Sequence, residues 1–157
     1  MRKIAELGST AESSRILLAA AAIGALLVCP DMRAHAQATV NFPLKNGMVM
    51  FMMPSKNMEC TFVAKQTAVY MPAGGGPELT CDRRDPKYVR VVLGPTKAAE
   101  RTDDPGEQPC CGADNILQYG QTWTDGPFTC ESAPSGLVCR HKNGHGFSLS
   151  KAKIEVH

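Results

Sequence analysis

The sequence predicts an all-β domain, a small disulfide-stapled sandwich or barrel of short antiparallel strands, preceded by a signal peptide. Three observations carry this expectation. Beyond the first forty residues no stretch shows convincing helical periodicity, whereas short β-branched or aromatic segments recur between Gly, Pro, Asn and Asp clusters. Six of the seven cysteines fall after the leader, an even number in a domain of modest size. The leader itself has the make-up of an export signal, which places those cysteines in an oxidising compartment.

The elements follow in chain order. Arg2, Lys3 and Arg15 form a basic start, and an apolar run extends from Ile16 to Val28. That run is too short for the roughly 20 apolar residues a membrane-spanning helix needs, and Pro30 and Asp31 end it. Ala34-His35-Ala36 and Ala36-Gln37-Ala38 are small-x-small cleavage sites, so residues 1–38 are read as the signal peptide and 39–157 as one mature domain. Cys29 sits where a lipoprotein signal would carry its acylated cysteine. Val28 before it is not the small residue such a signal usually has, which favours export without a lipid anchor.

Strands are expected at Gly47–Met53, Met58–Ala64, Thr67–Met71, Tyr88–Leu93, Gly120–Thr124, Pro127–Glu131, Leu137–His141, Gly146–Ser150 and Ala152–Val156. Pro72 to Pro77 and Thr102 to Glu107 read as loops, and Lys97 to Arg101 as a short helical turn. Asn143-Gly144 predicts a two-residue hairpin turn, because a type I′ turn needs positive φ at both positions. That turn pairs Cys139 with Ser148 and points His141 and His145 to opposite faces, so with His157 they offer no convergent zinc ligands.

Cys130 and Cys139 flank a connection whose turn at Pro134 to Gly136 would set them opposite each other, within reach of a disulfide. Cys60 and Cys81 are placed to pair across a small sheet. Elimination then leaves Cys110 with Cys111, a strained eight-membered ring. The alternatives are separate pairing of each with Cys60 or Cys81, or a redox-active pair, the latter without a C-x-x-C motif behind it.

Charge excludes one class of partner. Residues 39–157 hold 13 Lys plus Arg against 12 Asp plus Glu. The cluster Arg83, Arg84, Lys87, Arg90 is interleaved with Asp82 and Asp85 and reads as a solvated loop and strand edge. It is not the uncompensated basic face that nucleic acid requires.

Five segments carry a resemblance: Pro54-Ser55-Lys56-Asn57-Met58-Glu59-Cys60, Leu117 to Thr122, Phe128-Thr129-Cys130-Glu131-Ser132, Gly136-Leu137-Val138-Cys139, and Gly144 to Lys151. Their order resembles that of a family of small exported bacterial proteins with a PSGN-x-x-C, L-x-YG, F-x-C-x-S, G-x-x-C and GHGF pattern. The chain departs from it at Lys56, at Lys151 and in the adjacency of Cys110 and Cys111. The resemblance implies export and disulfides, and it supplies no catalytic residue.

Three functions fit. The first is a binding or inhibitory module in the periplasm or outside the cell, with an unknown protein or envelope ligand as partner. Its candidate surface is Tyr119, Gln121 and Trp123 on one strand face with His145 at a hairpin tip, since Tyr and Trp anchor interfaces. The competing reading puts Trp123, the only tryptophan, in the core. The second is copper handling through the thioethers of Met48, Met50 and Met52. That alternation is also what a buried strand needs, so core packing is the first reading and no cofactor is assigned. The third, a hydrolase, lacks a nucleophile elbow and a metalloprotease motif, and no carboxylate is placed to orient His145 beside Ser148. The acids Asp103, Asp104, Glu107 and Asp114 match no calcium loop.

Overall fold

A computed structural model of the chain describes residues 37–65, 67, 70–72, 74–106 and 111–157. The expected signal region up to Ala36, with Cys29, lies outside the described residues, as does Cys110. Among the described residues there is no helix, and none therefore is long and apolar enough to cross a membrane.

The strands are β1 (Ala38–Val40), β2 (Met48–Met52), β3 (Met58–Val63), β4 (Glu78–Arg83), β5 (Val89–Leu93), β6 (Glu100–Asp103), β7 (Asn115–Ile116), β8 (Gln121–Asp125), β9 (Phe128–Ala133), β10 (Gly136–His141), β11 (Gly146–Leu149) and β12 (Ile154–Val156). They form two six-stranded sheets, ordered β1-β8-β9-β10-β11-β12 and β6-β5-β4-β3-β2-β7. Neighbours pair antiparallel except β1 with β8 and β2 with β7, which run parallel at the sheet edges. Two separate sheets over one core make a sandwich, and the barrel alternative falls away.

Period-two alternation explains the core. On the second sheet Val49, Phe51, Cys60, Phe62, Leu79, Cys81, Val91 and Leu93 point inward, and on the first Trp123, Phe128, Cys130, Leu137, Cys139, Phe147 and Leu149 meet them. Trp123 sits between Phe51 and Phe62, with ring centroids 4.9 and 5.5 Å away, and Phe62 meets Phe128 at 5.7 Å. Tilted and edge-on aromatic contacts at these distances add to the area they bury. Cys60 faces Cys81, and Cys130 faces Cys139, in direct register, and both pairs are disulfides with Cα–Cα distances of 4.1 Å. Cys111 is also disulfide-bonded.

Several expectations are corrected. β4 was not anticipated, nor were β1, β6 and β7, and the expected strand at Thr67–Met71 does not form at Tyr70 and Met71, which are irregular. Lys97 to Arg101 is no helical turn: Glu100 and Arg101 pair with Val92 and Val91 in β6, which also takes Thr102 and Asp103 from the expected loop. The hairpin register slips by one, so that Cys139 faces Phe147. Asn143 Oδ1 accepts the His145 N–H at 3.0 Å and the Asn143 N–H donates to His141 Nδ1 at 3.0 Å, giving a three-residue loop with Gly144 at φ 96°. The His141 N–H then donates to the His145 carbonyl at 2.8 Å, so the two are opposite one another, and His141 packs edge-on against Phe128. The basic cluster is also reassigned. Arg83 is buried and donates to the Ser150 carbonyl at 2.8 Å, tying the two sheets together at one end.

β1 bears on processing. Ala38 pairs with Gln121, and Gln37 Oε1 accepts from Thr122 Oγ1 at 3.1 Å. A chain starting at Gln37 keeps this strand whole, whereas one starting at Thr39 loses its first pair.

The two cross-strand disulfides close loops of different length, with sequence separations of 21 for Cys60–Cys81 and 9 for Cys130–Cys139. Loop-closure entropy predicts that Cys60→Ala/Cys81→Ala costs about 0.7 kcal/mol more than Cys130→Ala/Cys139→Ala. Urea denaturation of the two double variants measures the difference. An equal or reversed order would contradict the assignment of their effect to the unfolded chain.

Candidate functional site

The face of the second sheet turned away from the core carries an unusual set of side chains. Registered pairing lines them up in rows: Met48, Val63 and Glu78; then Met50, Thr61, Thr80 and Val92; then Met52, Glu59, Asp82 and Arg90. Together with Tyr70, most of them enclose a recess of about 400 Å³, in the size range of small-molecule sites. Thr61 and Thr80 stand opposite each other on its floor, with Met50 and Val92 beside them.

Three polar arrangements frame this recess. Glu59 and Asp82 are directly opposite across β3 and β4, a like-charge pair that a sheet tolerates only with compensation. Asp82 is compensated by Arg90, whose Nε and Nη2 reach the two carboxylate oxygens at 2.9 and 3.0 Å, a bidentate geometry. Glu59 is compensated differently: its Oε2 accepts the backbone N–H groups of Gly112, at 2.5 Å, and Ala113, at 2.8 Å. Both carboxylates are largely buried, with residue exposures of 7 % for Glu59 and 9 % for Asp82. Among the described residues no cation lies within ion-pairing distance of Glu59. Glu59 is thus held by two backbone donors, where Asp82 has a cation.

Tyr70 forms the opposite wall. Thr67 holds it, its N–H donating to the Tyr70 carbonyl at 2.8 Å and its Oγ1 accepting the Tyr70 N–H at 2.9 Å. The phenol donates to Glu78 Oε1 at 2.5 Å, and Thr80 Oγ1 lies 3.4 Å from the same oxygen. Burial, then the hydrogen bond to Glu78 and its charge, raise the Tyr70 pKa above 10.0. Tyr88, whose hydroxyl accepts from Arg90 Nη2 at 3.0 Å, is raised by burial and by Asp82, and Arg90 is raised by its hydrogen bonds to Asp82.

The residues singled out from the sequence fall in three places. Met48 and Met50 line the recess, Met50 being 39 % exposed, so their face is the outer one and the core reading of that alternation is corrected. Met52 is buried on the same face and does not line the recess. Trp123 is wholly buried, which removes it from any surface, because it pairs with Cys130 and shares that residue's inward face. Tyr119 lies in a turn before β8 and is exposed, and Gln121 spends its side-chain oxygen on the Gln118 N–H at 2.9 Å. His145 is half-buried at the β10–β11 loop. The expected surface of Tyr119, Gln121, Trp123 and His145 is therefore not assembled.

Glu59, Asp82, Arg90 and Tyr70 were missed. The signal for three of them was the polar half of the alternation in β3 to β5, which becomes informative once its apolar half is known to face the core. Among the described residues, the only His, Cys, Asp or Glu trio with ligand atoms within 4.8 Å of one another is Cys60, Cys81 and Cys139, all in disulfides.

A second recess, of about 440 Å³, opens at the end of the sandwich between Ser55, Asn57, Tyr119, Ser135, Ser150 and Lys151. Its polar groups hold loops to each other. Asn57 Nδ2 donates to the Asp85 carbonyl at 2.9 Å, Asn57 Oδ1 accepts the Asp85 N–H at 2.8 Å, and Arg84 pairs with Asp85 at 3.0 Å.

Compared with known proteins, the chain matches no family model, no curated protein and no solved structure.

The raised phenols give an alkaline signature. A folded pKa above the unfolded value of 10.0 contributes stability that is complete below pH 10 and is lost as pH rises through the folded value. Spectrophotometric titration of the folded protein should show two phenols ionising late, with Tyr70→Phe and Tyr88→Phe each removing one. Loss of an ordinary phenol in both variants would contradict the Glu78 and Asp82 environments.

Proposed function

We propose that this protein is a binding module acting in an oxidising, extracytoplasmic compartment, with its ligand seat on the outer face of the second sheet. The observation that carries the reading is the recess itself. A sheet face turned to solvent needs only exposed polar side chains. This one instead holds a buried pair of opposed carboxylates, a bidentate arginine and a tyrosine wall around a floor of threonines and methionines. Buried charged groups on a sheet face cost stability, and such cost is expected where a face has a ligand to receive. Apolar side chains, here Met48, Met50, Val63 and Val92, beside polar groups fixed by hydrogen bonds are features of small-molecule sites.

The chemistry of the fold supports the compartment. Two fully buried disulfides and a basic, apolar leader with small-x-small sites suit an exported protein.

Thr61 sits at the centre of the floor with its side chain outward, so Thr61→Trp fills the recess without touching the core. Ser135→Trp fills the end recess in the same way. In a ligand-observed NMR fragment screen, hits should be lost with Thr61→Trp and kept with Ser135→Trp. The reverse pattern would move the site to the end of the sandwich.

A further inference from the structure

Resting on the proposed ligand seat, the charge balance of the recess points to what it receives. We infer that the recess binds a small organic ammonium ion with an aliphatic body.

The charges of the lining decide it: two carboxylates, Glu59 and Asp82, against one guanidinium. Arg90, the one cation lining the recess, has Nε and Nη2 on the two oxygens of Asp82, and Nη2 also reaches the Tyr88 hydroxyl. The Tyr70 proton is committed to Glu78, so toward a ligand its oxygen can only accept. Beside the N–H groups of Arg90 Nη1, the lining offers mostly acceptors: the Glu59 and Asp82 carboxylates, the Tyr70 oxygen, and the Thr61 and Thr80 hydroxyls, which accept as well as donate. With Asp82 balanced by Arg90, the lining carries one uncompensated negative charge, on Glu59.

An anion would meet that charge with no free cation to offset it. A metal ion would need oxygens gathered on one point, and among the described residues no carboxylate trio brings ligand atoms within 4.8 Å of one another. An alkylammonium ion matches both halves of the site. Its three N–H donors suit an acceptor-rich end, and its carbon chain suits Met48, Met50, Val63 and Val92. The thioethers of Met48 and Met50 are polarisable and adaptable, so they can lie against an aliphatic chain without demanding one shape.

Three probes of equal length separate the possibilities: n-hexylammonium, n-hexanol and n-hexanoate, titrated into the wild-type protein and followed by the methyl resonances of Met48 and Met50. The expected order is ammonium tightest, alcohol weaker and carboxylate weakest. Glu59→Gln, whose amide oxygen still accepts the Gly112 and Ala113 N–H groups, should weaken the ammonium about tenfold, the loss of one charge-assisted hydrogen bond. It should leave the alcohol unchanged. Hexanoate binding as tightly as hexylammonium, or ammonium affinity untouched by Glu59→Gln, overturns the ligand class while leaving the seat in place. Resonances that move with none of the three probes overturn both the class and the seat.

Discussion

Two disulfides meet in the middle of this sandwich, one from each sheet, and the remaining architecture is arranged around that contact. The sulfur of Cys139 lies within 4.8 Å of those of Cys60 and Cys81, and all four bridged cysteines are buried. Each bridge joins residues directly opposite on neighbouring strands, so each pins a register as well as a loop. With Cys60 facing Cys81, Phe62, Leu79 and Val91 must point inward beside them. Thr61, Thr80, Glu59 and Asp82 must then point outward. The covalent centre thus decides which side chains are left for solvent, and it decides this before any ligand is considered. Trp123, Phe51, Phe62 and Phe128 complete the seal between the sheets on one side of the sulfurs.

How far this could be read from the sequence depends on which half of each strand carried the signal. Cys130–Cys139 was legible because the turn between them fixed the strand directions, whereas Cys60–Cys81 was one of several open pairings, expected across a small sheet with no strand assigned at Cys81. The strand β4 itself was not anticipated, although Glu78-Leu79-Thr80-Cys81-Asp82 alternates, because Glu78, Asp82 and Arg83 are charged and such residues are scarce in strands. β6 has no apolar residue to mark a face, and β7 is two residues long. The hairpin slipped by one because Asn143 hydrogen-bonds on both sides within its loop, a side-chain effect that the Asn-Gly pair alone does not display. That single slip reversed the relation of His141 to His145.

The candidate site was hidden for a related reason. Period-two alternation says that Met48, Met50 and Met52 share a face, but not which face it is. The apolar character of methionine argued for the interior, whereas the strictly apolar Val49 and Phe51 between them took that role. The outer face then collected methionine, threonine, valine and opposed carboxylates, a mixture that neither a core nor an ordinary solvated surface needs. Tyr70 joins it from a segment outside any strand, which no periodicity could have placed.

The disulfide register turns Met48 and Met50 of β2 away from the core. Limited oxidation with hydrogen peroxide, read methionine by methionine by mass spectrometry, tests it directly. Met50 and Met48 should form sulfoxides well ahead of Met53 and Met58, which are buried against the core. Oxidation of Met53 and Met58 at the same rate as Met50, or ahead of it, would mean that the strand presents its other face and would contradict the account.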